Sequence, residues 1–90
     1  MLVALTARDK AGALNVRMEN RPKHVEYLKA SSAVRMAGPL LDDAGDMCGS
    51  LIILEVEDMA EAEAWAASDP YALAGLFESV SLDPWNKVIG

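Results

Sequence analysis

Residues 49–67 read GSLIILEVEDMAEAEAWAA. The run Leu51-Ile52-Ile53-Leu54 is apolar at every position, so a strand here presents hydrocarbon on both faces of its sheet. That strand is expected over Gly49 to Glu57. Asp58 then supplies an N-cap, and Glu61 follows at the spacing of a capping box in acidic form. The alanine-rich helix after it runs through Ala67 and turns Met59, Ala62, Trp65 and Ala66 toward a sheet.

Working outward, Ser68-Asp69-Pro70 breaks that helix, and Tyr71 to Leu76 suits a short helical turn. Glu78 to Leu82 alternates as a last strand, with a kink at Asp83-Pro84 before Trp85 to Ile89. On the other side, Asp42-Asp43-Ala44-Gly45-Asp46 is a turn, preceded by a strand from Val34 that ends at Gly38-Pro39. Residues 13–30 have a helical pattern, with Leu14, Met18, Val25 and Leu28 on one face and Asn15, Glu19, Lys23 and Glu26 opposite. Pro22 removes a helix hydrogen bond, so a short first segment and a main helix from about Arg21 to Ala30 are expected, closed by Ser31-Ser32. Residues 1–7, MLVALTA, form a two-sided apolar strand, and Arg8 to Gly12 a loop.

The order β-α-β-β-α-β is the ferredoxin-like α+β pattern: one domain over 1–90, a four-stranded antiparallel sheet with its helices on one face. Helices on one side cover one sheet face only. The strands at 1–7 and 51–54 are apolar on both, so the second face needs a partner, and a homodimer joined through the sheet faces is the simplest answer. A place at the edge of a larger complex is the alternative. The composition agrees, since 52% of a 90-residue chain is apolar, more than one small core needs.

With 14 acidic and 8 basic residues and a net charge of −6, the chain lacks the basic footprint of a non-specific nucleic-acid binder. A single cysteine excludes an internal disulfide framework, and a single histidine argues against a Cys/His metal site. The spacing around Asp42, Asp43 and Asp46 fails the calcium-loop pattern. No stretch has the length of a membrane span, and a cytoplasmic protein is expected.

Chemistry gathers around the one histidine. At 100° per residue, Arg17, Arg21, His24 and Leu28 share a helix flank, a plausible anion-facing group. The same spacing also suits a solvated flank. Asp69 is a candidate partner that would orient His24 as a general base, although Asp before Pro is also a common turn former. Gly38, Pro39 and Ser50 lie where strands end or begin, and Tyr71 follows the Asp69 turn. Cys48 has no basic neighbour and reads as a small apolar filler.

Arg21-Pro22-Lys23-His24, Ala37-Gly38-Pro39, Gly49-Ser50, the Ala62 to Ala67 run and Asp69-Pro70-Tyr71 with Ala74-Gly75 together resemble the YciI-like family of the dimeric α+β barrel superfamily. The resemblance spans nearly the whole chain. The hairpin at Leu40 to Met47 and the link at Ala30 to Val34 look shorter than in typical members. The resemblance implies a barrel-forming dimer, a pocket between sheet and helices, and a His–Asp pair at His24 and Asp69. A related enzyme eliminates chloride from a chlorinated hydroxyhydroquinone, and neighbouring superfamilies include muconolactone isomerases and cofactor-independent monooxygenases.

The expected function is therefore proton abstraction, leading to elimination or isomerisation, on a small anionic or aromatic molecule. His24 would be the base, Asp69 its partner, Arg17 or Arg21 the anion contact, and Gly38, Pro39, Ser50 and Tyr71 further pocket groups. Nothing in the sequence calls for a metal or organic cofactor. The alternatives are a non-catalytic small-molecule-binding or accessory domain, and a structural dimer with no ligand.

Overall fold

A computed structural model describes residues 1–90. The chain runs β1 (Leu2–Asp9), α1 (Leu14–Ala30), β2 (Val34–Leu41), β3 (Met47–Glu55), α2 (Met59–Ala67), α3 (Pro70–Leu73) and β4 (Phe77–Trp85). All strand pairs are antiparallel, in the order β2-β3-β1-β4, which is the ferredoxin-like arrangement. Strands β1 and β3 occupy the centre, as their two-sided apolar sequences require.

The register assigns the faces. Val3 pairs with Leu54, Leu5 with Ile52 and Ala7 with Ser50, so these six residues share one side of the sheet. On that side Val3, Leu5, Ala7, Ile52 and Leu54 form the core with Val56 and with Ala62 of α2, and Leu28, Trp65 and Ala66 pack against it. Gly49 is fixed by the β1–β3 approach: a Cβ there would strike the Ala7 carbonyl oxygen. The intervening residues, including Ala4, Thr6, Leu51 and Met36, point to the face without helices, where Leu51 and Met36 are exposed.

Two carboxylates serve the N-terminus of α2. The Asp58 carboxylate accepts the Glu61 amide N–H at 2.9 Å, and the Glu61 carboxylate accepts the Glu57 amide N–H at 2.8 Å.

Several boundaries differ from the sequence expectation. Helix α1 is continuous from Leu14 to Ala30 with Pro22 inside it. Pro22 and Met18 are both exposed, so water can serve the Met18 carbonyl that loses its usual donor. The apolar stripe expected on α1 is only half realised: Leu14 and Met18 are exposed, and the helix's buried residues are Arg17 and His24. Strand β1 extends through Arg8 and Asp9, which were expected to be loop. Strand β2 continues past Pro39 to Leu41, and β4 past Pro84 to Trp85; both are edge strands, where a missing N–H costs no ladder bond. The short helix is α3, Pro70–Leu73, rather than Tyr71 to Leu76.

Candidate functional site

Four polar or charged residues are buried, Arg17, His24, Ser50 and Asp69, and the Asp9 side chain is buried beside Arg17. All four belong to one assembly, around a cavity of about 250 Å³ between α1, β2, β3 and α3. Buried polar groups are costly unless hydrogen-bonded, so a cluster of this kind in so small a core is a built feature.

Asp69 is the N-cap of α3, where Pro70 at the first turn has no N–H to satisfy. Its Oδ1 accepts the Tyr71 amide N–H at 3.0 Å. The same Oδ1 lies 2.8 Å from His24 Nδ1, with both side chains buried. The turn-former and histidine-partner readings of Asp69 are thus both realised by one oxygen. A carboxylate accepts only, so Nδ1 carries the proton in the neutral imidazole and Nε2 is left bare. No protein group hydrogen-bonds Nε2, and His24 lines the cavity. The second carboxylate oxygen, Oδ2, is buried without a hydrogen-bond partner.

The imidazole stacks on Tyr71, with ring centroids 3.9 Å apart and planes 16° from parallel. The Arg17 guanidinium lies over the Tyr71 ring as well, 4.5 Å from its centroid. Arg17 and His24 are two turns apart on α1, about 10.5 Å along its axis, and Tyr71 contacts both. Burial pushes the Tyr71 phenol above its ordinary pKa of 10.0, against the opposing pull of Arg17 and Arg21, and it stays protonated at neutral pH.

Arg17 is held from behind. Its Nε donates to Asp9 Oδ2 at 2.7 Å and its Nη2 to Asp9 Oδ1 at 3.0 Å; Nη2 also donates to Ser50 Oγ at 2.9 Å. Burial opposes the guanidinium charge, but the hydrogen bonds and charge of Asp9 outweigh it and raise the Arg17 pKa. The turn chemistry of Arg8 to Gly12 reads as a loop and hides Asp9. The signal was present, because Asp9 continues the inward alternation of Val3, Leu5 and Ala7.

Arg21 and Lys29 also line the cavity, both exposed and neither in a salt bridge. With the Arg17 charge matched by Asp9, these two supply the unmatched positive charge at the mouth. Gly38 and Pro39 of β2 form part of the far wall. A Cβ on Gly38 would meet open space, so no close contact demands glycine there. The structure thus brings Arg17, Arg21, His24, Gly38, Pro39, Ser50 and Tyr71 to one cavity, with Asp69 directly behind His24.

No cluster of three or more His, Cys, Asp or Glu side chains is arranged to hold a metal ion, and no helix is long and apolar enough to cross a membrane.

Comparison with known proteins places this geometry among relatives. A family model described as the YCII-related domain matches residues 1–86. Protein YciI of Escherichia coli O6:H1 is 38% identical over 98% of this chain and 99% of its own length. An uncharacterised protein of Haemophilus influenzae is 33% identical over the same shares. Among solved structures, 5-chloro-2-hydroxyhydroquinone dehydrochlorinase from Burkholderia phenoliruptrix AC1100, in complex with 2,5-dihydroxybenzoquinone, is 33% identical. It superposes with a TM-score of 0.87, covering 96% of this chain and 94% of that one.

Proposed function

This chain belongs to the YCII-related domain family, and from that membership and its site we propose that it is a small cofactor-independent enzyme that removes a proton from a one-ring or enolisable anion. The carrying observation is the buried His24–Asp69 pair at 2.8 Å on the wall of a cavity, with no protein group hydrogen-bonded to Nε2. Its volume of about 250 Å³ lies just below the roughly 300–1,000 Å³ of drug-sized sites, which suits a small substrate.

The chemistry follows from the donors and acceptors. His24 Nε2 takes the substrate proton, and Asp69 steadies the imidazolium that forms. The electron pair of the broken bond moves onto a substrate oxygen, where Arg21, Lys29 and the Ser50 hydroxyl face the developing charge. From that enolate-like state a leaving group departs with its electron pair, or the proton returns at another carbon. Elimination is the outcome supported by the name of the dehydrochlorinase, a relative at 33% identity.

The working unit is a dimer formed through the helix-free sheet face, which exposes Leu51 and Met36. The two-sided apolar sequences of the central strands β1 and β3 support this. Sedimentation is expected to give a species of twice the 9.6 kDa chain mass, and a stable monomer at micromolar concentration would contradict it.

The test is a thermal-shift panel of hydroxyquinones, hydroxybenzoates and enolisable keto acids, followed by deuterium incorporation into each binder in heavy water. Wild-type protein is expected to catalyse exchange, and His24→Ala to bind without exchanging. Exchange that persists in His24→Ala refutes the base assignment. Binding without exchange by the wild type marks a non-catalytic binding domain.

A further inference from the structure

Ser50 Oγ is buried, lines the cavity and accepts a hydrogen bond from Arg17 Nη2 at 2.9 Å. A guanidinium has only donors, so the Ser50 hydrogen cannot point back at Arg17. No protein group accepts it either, because the Arg17 bond is the one hydrogen bond that Ser50 Oγ makes. Both hydrogens of Nη2 are used, one on Asp9 Oδ1 and one on Ser50 Oγ, while Nε occupies Asp9 Oδ2. Asp9 does not line the cavity, and its side chain is 6% exposed.

We propose that Asp9 is a positioning residue which, through the fork it makes with Arg17, fixes the Ser50 hydroxyl as a hydrogen-bond donor aimed at an oxygen of the bound anion. The proposal rests on the reading of this cavity as an anion site. Asp9 does two things there. It turns the guanidinium so that one Nη2 hydrogen must find Ser50. It also matches the Arg17 charge from outside the cavity, so that Arg17 orients the site while Arg21 and Lys29 attract the ligand. Serine is short and its hydroxyl rotates freely on its own; the fork removes that freedom before the ligand arrives, which is preorganisation.

Calorimetric titration with 2,5-dihydroxybenzoquinone and with benzoate tests this on the full chain. Ser50→Ala is expected to weaken binding by about ten- to a hundredfold, the scale of one hydrogen bond to a charged acceptor. Arg17→Lys keeps the charge and can still meet Asp9, but one ammonium cannot reproduce the planar fork. It should show a loss similar to that of Ser50→Ala. Asp9→Asn should do the same where it folds; Arg17→Lys, which retains the buried charge pair, decides the matter if it does not.

The decisive comparison is the double variant Arg17→Lys/Ser50→Ala. If Arg17 and Asp9 act through the hydroxyl, the double variant binds no more weakly than Ser50→Ala alone. A purely structural role would weaken binding by the same factor with or without the hydroxyl. Losses that multiply, or a Ser50→Ala variant that binds like wild type, overturn the positioning role and leave the anion site standing. Wild-type protein that binds neither probe overturns the anion reading itself, and this inference with it.

Discussion

Replacing Asp9 by alanine should be among the most destabilising single changes in this molecule, and the reason is on the far side of the bond. The Arg17 side chain is 2% exposed and makes three hydrogen bonds, two of them to Asp9. Asp9→Ala leaves a full positive charge buried with Ser50 as its remaining hydrogen-bond partner. Breaking one side of a buried pair costs about 3–5 kcal/mol, against a total of about 5–15 for a small domain. For a chain of this size the unfolding midpoint should fall by at least about 12 °C. Arg17→Met strands the Asp9 carboxylate and should cost a similar amount. The double variant Asp9→Ala/Arg17→Met strands neither charge, and the methionine can keep contact with Tyr71. It should therefore be more stable than either single variant. Urea unfolding followed by circular dichroism, at one fixed protein concentration, reads all three. A loss below about 1 kcal/mol in Asp9→Ala, or losses that add in the double variant, would refute the buried-pair reasoning.

Two further outcomes follow from the same structure. Gly49→Ala drives a Cβ against the Ala7 carbonyl, a backbone atom at the centre of the sheet, so β1 and β3 must separate. A loss of about 1–3 kcal/mol is expected in the same unfolding assay, whereas Gly38→Ala, which meets open space, should be nearly neutral. In alkali, burial raises the phenols of Tyr27 and Tyr71 above their ordinary value of 10.0. The native state disfavours phenolate, so this contribution to stability is full below about pH 10 and declines as pH rises through the raised native values. A titration of tyrosinate absorbance should show native protein ionising above the pH at which the urea-unfolded chain ionises; coincident curves would contradict it.

The parts of the fold governed by local pattern were readable in the sequence. The apolar run at Leu51 to Leu54 lies in a central strand, and Asp58 with Glu61 forms the cap its spacing predicts. What depended on distant partners was not readable. The stripe Leu14, Met18, Val25 and Leu28 suggested which face of α1 turns inward, yet Arg17 and His24 hold the buried positions. They can do so because Asp9, Ser50 and Asp69 meet them, and no pattern local to the helix reports those partners. The family resemblance names His24 and Asp69 as a pair, but 45 residues separate them, and no pattern local to either reports the packing of α1 against α3 that brings them within 2.8 Å. Asp9 was legible in principle. Extending the alternation of Val3, Leu5 and Ala7 by one step places a carboxylate on the helix side of the sheet.

The proposed chemistry requires that His24 present a bare Nε2 to the cavity while Asp69 holds the proton on Nδ1. Because the chain has one histidine, long-range proton–nitrogen NMR reads that state without ambiguity. The neutral imidazole should be the Nδ1–H tautomer, and the bare Nε2 resonance should move when an anionic ligand enters the cavity. An Nε2–H tautomer, or an Nε2 signal indifferent to every ligand that binds, would contradict it.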